Sequence, residues 1–278
     1  MGAQPTRGGG PPVNPVPTAL TIAGSDSGGG AGIQADLLTF SALGVFGTTA
    51  ISCLTAQNPD EVTAVHPVPV EFRLEQIRRV EVFFEPNAVK TGMLFSAEII
   101  CAVADWLETR GGAPAVVDPV MVATSGAVLL EPDAVEAVRE RLIPSATLVT
   151  PNLDEANVLA GGSPSSADGM ADAARALASR FGTAFLLKGG HLPGDELVDA
   201  LALADGSVRL FRDPRIHGVD THGTGCTLAA AVAAGLAKGI ALEAAVAASR
   251  AHLRRAMAAP VILHSRAFLP QGGAGQRG

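Results

Sequence analysis

Ala19-Leu20-Thr21-Ile22-Ala23-Gly24-Ser25-Asp26-Ser27-Gly28-Gly29-Gly30-Ala31-Gly32-Ile33-Gln34-Ala35-Asp36 opens on a short apolar run and passes into a polar, glycine-rich loop. Residues 19–23 read as a buried strand, residues 33–43 repeat their apolar side chains at helical spacing, and residues 48–54 are strand-like again. A strand, a glycine-rich exit, a helix and a second strand make a βαβ unit, which points to a parallel sheet. The loop matches neither a GxGxxG dinucleotide fingerprint nor a Walker A loop. Gly30-Ala31-Gly32 suits close backbone contact with a small substrate.

The alternation continues along the chain. Residues 70–83 are helical in pattern, 88–91 are strand-like and stop at Gly92, and 97–109 are helical again. A strand at 115–117 ends at Asp118-Pro119, and a helix at 133–142 leads to a strand at 147–150. Pro151-Asn152 breaks that strand before helices at 155–160 and 167–181. The strand at 183–187 meets Lys188-Gly189-Gly190. Residues 197–211, with Asp205-Gly206 between two alternating runs, are expected as the one clear antiparallel hairpin. Helices at 224–238 and 242–258 complete an α/β domain with a mostly parallel central sheet. Residues 1–18 are expected as a disordered lead-in, 19–270 as a single domain and 271–278 as a flexible tail.

Composition narrows the function. With 278 residues and 47% apolar side chains the chain can bury the core of one large domain. The net charge is −7 and no run of Lys or Arg could neutralise a nucleic-acid backbone, so nucleic acid is not an expected partner. The N-terminal residues have no continuous apolar segment of the signal-peptide kind, and the longest nearly apolar stretch, 226–237, falls short of the roughly 20 residues that cross a bilayer. A soluble protein without a membrane partner is expected. Cys53, Cys101 and Cys226 make neither an even disulfide set nor a Cys-x-x-Cys pair, which fits a reducing, cytoplasmic setting. Only three lysines stand against seventeen arginines, so Lys188 in its glycine-rich context is conspicuous.

In an open parallel sheet the ligand lies beyond the carboxyl ends of the strands, where the polar and glycine-rich exits collect. Thr221-His222-Gly223-Thr224-Gly225-Cys226 precedes a helix whose first-turn N–H groups have no partner within the helix. Such donors, approached closely at Gly223 and Gly225, can hold phosphate oxygens, although an ordinary threonine cap beside glycines has the same appearance. At the helix N-terminus Cys226 would feel the positive helix end, which can lower a thiol pKa and let it take a proton from an alcohol; bound polyphosphate would raise the same pKa, so the sequence leaves the thiolate fraction open, and a small buried cysteine is the plain alternative. Lys188 suits phosphate, or is a solvated lysine. Asn152 and Glu155, three residues apart, offer oxygens to Mg²⁺ through water, or form a helix-capping box. Asp118 either helps hold Mg²⁺ or makes an Asp-Pro turn.

Taken in order, the 19–36 stretch, Thr55-Ala56-Gln57-Asn58, Lys90-Thr91-Gly92-Met93-Leu94, Asp118-Pro119-Val120-Met121, Thr150-Pro151-Asn152-Leu153-Asp154-Glu155-Ala156, Leu187-Lys188-Gly189-Gly190-His191 and His222-Gly223-Thr224-Gly225-Cys226 resemble the hydroxymethylpyrimidine and phosphomethylpyrimidine kinases of thiamine biosynthesis, within the ribokinase superfamily. The resemblance covers residues 19–258. It implies a ribokinase-like three-layer α/β/α sandwich, Mg²⁺ and ATP, a homodimer, and two phosphorylations of 4-amino-5-hydroxymethyl-2-methylpyrimidine at one site. By resemblance, Gln57 recognises the aminopyrimidine, and Ala31, Asp36, Met93 and Val120 surround it. Asn152 and Glu155 lie near Mg²⁺ and the phosphates, Lys188 contacts phosphate, and Gly223, Thr224, Gly225 and Cys226 form the anion hole. Cysteine at position 226, where many superfamily members carry aspartate, points to the pyrimidine kinase branch. A pyridoxine or pyridoxal kinase on the same fold, and a pyrimidine-binding protein without catalysis, are the competing expectations.

Overall fold

The computed structural model describes residues 15–272 apart from 122–129, 132, 163 and 165. The expected lead-in and tail fall mostly outside the described residues. At the lead-in's inner limit, Thr18 already opens a strand.

Nine strands make one sheet: β1 (Thr18–Ser25), β2 (Phe46–Gln57), β3 (Val62–Pro67), β4 (Ala88–Thr91), β5 (Ala115–Val117), β6 (Leu148–Val149), β7 (Ala184–Leu187), β8 (Glu196–Ala202) and β9 (Val208–Pro214). Their order is β3-β2-β1-β4-β5-β6-β7-β8-β9. The strands from β2 to β7 run parallel, and β8 and β9 add the expected antiparallel hairpin. That hairpin is not alone: β3 pairs antiparallel with β2 at the other edge. Its mixed sequence and exposed edge position leave no apolar alternation to read.

Burial on both faces explains the apolar parallel strands. Leu20 and Ile22 of β1, Val117 of β5, Val149 of β6, and Phe185 and Leu187 of β7 enter one core, while Ala19, Val116, Leu148, Ala184 and Leu186 enter the other. The first core is covered by α2 (Val70–Phe84), α3 (Ala97–Thr109), α5 (Leu153–Ala160) and α6 (Met170–Phe181), which contribute Ile77, Ile100, Leu159 and Leu177. The second is covered by α1 (Gly32–Ala42), α7 (Thr224–Ala237) and α8 (Leu242–Ala258), through Phe40, Val232 and Val246. Each large apolar side chain so buried contributes about 1.5–3 kcal/mol. The result is the expected three-layer sandwich. Alanines 229, 230, 231, 233 and 234 allow α7 to lie against α1, α8 and the sheet at once.

Two local departures have physical causes. The helix expected at 133–142 is one α turn, α4 (Ala134–Ala137), followed by a π-helical turn over Val138–Leu142. Pro144, which has no N–H to return to the Glu140 carbonyl, follows that wider turn. After α8, β10 (Val261–Leu263) and β11 (Arg266–Phe268) form a further hairpin. His264 and Ser265 both have positive φ in its turn, as a right-twisted two-residue hairpin requires.

Candidate active site

The parallel strands deliver their exits to one end of the sheet, where a cavity of about 800 Å³ opens. Ala31, Gln57, Met93, Asp118, Val120, Asn152, Glu155, Lys188 and Gly223 to Cys226 all line it. Asp36 does not. That expectation is corrected: Asp36 faces inward from α1, wholly buried, and its Oδ2 accepts hydrogen bonds from Thr21 Oγ1 at 2.6 Å and Lys90 Nζ at 2.8 Å. An isolated buried carboxylate is too costly to leave unpaired, and Lys90 supplies the cation. Burial works to lower the Lys90 pKa, but Asp36, Cys226 and Asp118 together hold the ammonium above its ordinary value.

At the acceptor end, Asp26 organises the glycine-rich loop. Its carboxylate accepts from the amides of Gly28 (2.7 Å), Gly30 (3.0 Å) and Ala31 (2.8 Å), and lies 3.0 Å from His222 Nε2. Burial raises the Asp26 pKa, yet His222 and the loop amides together keep it below the ordinary carboxylate value. Ser27 Oγ joins the loop to the end of β2, donating to the Gln57 carbonyl at 2.7 Å and accepting from its amide at 2.8 Å. The Gln57 side chain reaches to 3.5 Å from His222 Nε2. An amide there can both donate and accept. The Asp26–His222 pair escapes sequence reasoning because its members are 196 positions apart; an aspartate heading a glycine run was the only local signal.

The anion turn sits between the two ends. Gly223 caps α7 with φ +78°, and a Cβ there would lie 1.8 Å from the Gly30 carbonyl oxygen, so only glycine fits. The Thr224 amide is spent within the turn, donating to the Thr221 carbonyl at 3.1 Å. The Gly225 and Cys226 amides remain as the first-turn donors for an anion. Of the two directions the sequence leaves open for the Cys226 thiol, the raised one holds. Burial pushes the thiol up to about 11; Asp36 and Asp118 add to that, against Lys90 and the Gly32 amide. Its resting form is the neutral thiol.

At the phosphate end, Lys188 Nζ lies 3.1 Å from Asp118 Oδ1, which also accepts from Thr150 Oγ1 at 3.1 Å. Burial acts to lower the Lys188 pKa, but Asp118 and then Glu155 raise it, so the side chain is a cation. Asn152 and Glu155 form the capping box of α5: the Asn152 side chain accepts from the Glu155 amide, and the Glu155 side chain accepts from the Asn152 amide, each at 2.8 Å. Glu155 is raised to about 7, first by burial and then by Asp118, against the pull of Lys188. Capping and facing the cavity are both true of these two residues.

The phosphomethylpyrimidine kinase family model matches residues 26–269. The chain belongs to that family. A hydroxymethylpyrimidine/phosphomethylpyrimidine kinase of Rhizobium meliloti is 52% identical over 242 residues, 87% of this chain and 90% of the relative. Among solved structures, phosphomethylpyrimidine kinase from Clostridium difficile is 38% identical, with a TM-score of 0.76 over 86% of this chain and 99% of that one. Pyridoxal kinase from Staphylococcus aureus in complex with ADP is 33% identical, with a TM-score of 0.85 over 95% of this chain and 96% of that one. The chain is accordingly a kinase, and ATP use follows from the family and from nucleotide-bound neighbours. Among the described residues no helix is long and apolar enough to cross a membrane.

Proposed function

We propose that this chain transfers the γ-phosphoryl group of ATP to the hydroxymethyl oxygen of 4-amino-5-hydroxymethyl-2-methylpyrimidine, and then a second phosphoryl group to the resulting monophosphate. The observation that carries the reading is one cavity with an amide-bearing end at Gln57, a cationic end at Lys188, and the amides of Gly225 and Cys226 between them. In the transfer, a bond forms between the substrate oxygen and the γ-phosphorus while the bond from that phosphorus to the β-bridging oxygen breaks, leaving ADP. Lys188 and the two amides stabilise charge on the phosphoryl oxygens. Because the Cys226 thiol rests neutral and already holds its proton, it does not act as the base in that form; the hydroxyl proton leaves to a phosphate oxygen as the new O–P bond forms, and a loose transition state asks little of a base.

Asp118, Asn152 and Glu155 are the residues that would hold Mg²⁺. Hard oxygen donors suit that ion, and Glu155, raised to about 7 beside Asp118, is a carboxylate whose charged form a divalent cation would favour. When bound, Mg²⁺ supplies charge neutralisation of the phosphates.

The similarity to pyridoxal kinase supports a second reading, a flat hydroxymethyl-bearing pyridine in the same acceptor end. Purified protein incubated with Mg²⁺-ATP and, separately, the pyrimidine alcohol, its monophosphate and pyridoxal distinguishes them. Mono- and diphosphate of the pyrimidine are the expected products. A preference for pyridoxal above about tenfold in kcat/KM, roughly 1.4 kcal/mol at the transition state, would hand the site to the second reading. No phosphorylation of any acceptor would overturn both.

A further inference from the structure

The segment after α8 leaves the domain surface and returns to the acceptor end, where it touches three loops from distant parts of the chain. The Arg266 guanidinium joins Asp60, in the loop that follows Gln57, to Asp220, where Nη2 lies 2.8 Å from Oδ2. Asp220 is bound again by the same segment, its amide donating to the Ala267 carbonyl at 2.8 Å. The other oxygen of Asp220 accepts the His222 amide at 2.9 Å, one residue before the anion turn. Farther on, Gln271 is buried, although it is the first residue of the tail expected to be flexible. Its Nε2 donates to the Gly30 carbonyl at 2.6 Å, the oxygen against which Gly223 is packed.

We infer that residues 266–271 are a clamp that sets the acceptor half of the site, with Arg266 and Gln271 as positioning residues for the glycine-rich loop, the Gln57 loop and the anion turn. All three loops carry residues proposed to face the pyrimidine or the transferred phosphoryl group, so the inference rests on that functional reading. Arg266 and Gln271 bond to none of the phosphate-end residues Asp118, Asn152, Glu155 or Lys188. The clamp therefore bears on the acceptor and on the turn that receives the transferred phosphoryl group, and leaves the phosphate-end side chains that hold the rest of ATP untouched. Arg266 holds through two charges at the surface, whereas Gln271 holds through one buried amide hydrogen bond, so Gln271 has the larger influence on Gly30 and Gly223.

The test is a pair of variants in the full chain, Gln271→Glu and Arg266→Ala. Gln271→Glu keeps the side chain's size and removes the donor to the Gly30 carbonyl. It is expected to raise KM for the pyrimidine about tenfold, and Arg266→Ala about threefold, with KM for ATP within twofold of the parent. A segment that only filled space would leave Gln271→Glu unchanged, and a segment that only stabilised the fold would move both KM values together; either result overturns the clamp. Amide hydrogen exchange in the absence of substrates gives an independent measure. Faster exchange at residues 28–31 and 222–226, with no change at 150–156, is expected of both variants. That measurement stands even if the parent enzyme rejects the pyrimidine, so failure of the functional reading and failure of the clamp are separable. Uniform exchange across both regions would also overturn it.

Discussion

Two of the chain's three lysines lie against aspartates inside the protein, and the pairs differ in what lies beyond them. Lys90 and Asp36 have no exposed side-chain surface, and their ammonium and carboxylate meet at 2.8 Å with Thr21 as the further donor. Lys188 and Asp118 meet at 3.1 Å but retain 15% and 3% exposure, and both line the cavity. A sealed pair spends its charge on itself and fixes how α1 lies on β1 and β4. An open pair keeps donor capacity for a ligand. The same two residue types thus serve the fold in one place and the site in the other: Lys90 borders the cavity but its side chain keeps no accessible surface, whereas Lys188 keeps some.

The sealed pair is the place for the largest effect. Lys90→Met leaves Asp36 buried without a cation and is expected to destabilise the protein by about 3–5 kcal/mol, read from urea unfolding. Lys90→Met combined with Asp36→Leu should recover most of that loss, because no charge is then stranded. A single variant as stable as the parent would show that water reaches Asp36 after all and would remove the distinction between the pairs.

Lys188→Ala should behave in the opposite sense. Stability falls by about 1.5 kcal/mol, since the cavity lets water reach Asp118, whereas kcat/KM falls about 10²–10³-fold through loss of a preorganised cation at the phosphates. Circular-dichroism melting and steady-state kinetics on one preparation test both halves. Equal losses of stability in Lys188→Ala and Lys90→Met would erase the contrast.

The two pairs were not equally legible in the sequence. Lys188 follows a clean apolar strand and precedes two glycines, a context that marks a strand exit and therefore the cavity. Lys90 lies inside a buried strand between Val89 and Thr91, where nothing local announces a partner 54 positions away. The resemblance places Asp36 at the pocket, and helical spacing alone does not say which side of α1 meets the sheet. The parallel strands and long helices were readable because burial on two faces leaves continuous apolar runs and a 3.6-residue repeat. The edge strand β3 and the β10–β11 hairpin were not, for most of their residues are at least partly exposed and carry no such signature. Contacts among loops, such as Asp26 with His222 and Gln271 with Gly30, depend on the assembled sheet and have no local trace.

Cys226 lies within the influence of both pairs, and its protonation reports on them. With the thiol pushed up to about 11, the reactive thiolate is scarce at neutral pH. Iodoacetamide labelling of Cys226 at pH 8 is therefore expected to be about 100-fold slower than that of an exposed cysteine, rising tenfold per pH unit through pH 10. Asp118→Asn removes one of the charges that raise the thiol and should speed labelling; Lys90→Met, if folded, should slow it further. A rate that levels off below pH 9 would mean a resident thiolate, and with it a stronger case for Cys226 as the base. Unchanged turnover in Cys226→Ala would remove the base assignment and leave the anion turn intact.

The smallest effect separates the two uses of the Asn152–Glu155 box beside the open pair. As a helix cap, Asn152 satisfies the Glu155 amide, and Asn152→Ala should cost about 1 kcal/mol of stability. Asn152→Ser and Asn152→Asp retain a capping oxygen and should restore that stability. If capping were the residue's whole contribution, kinetics would recover in both variants as well. A residue that also faces Mg²⁺ and phosphate predicts a split. Asp adds a negative charge beside Asp118 and Glu155, where Lys188 is the nearby cation, so Asn152→Asp should change the Mg²⁺ concentration needed for half-maximal rate while its melting temperature matches the parent. Ser adds no charge and is too short to reach the same ligand, so its loss should appear in kcat without that shift. Coincident recovery of stability and rate in both variants would confine Asn152 to the fold and leave Lys188 and Asp118 as the polar groups of the phosphate end that the cavity alone explains.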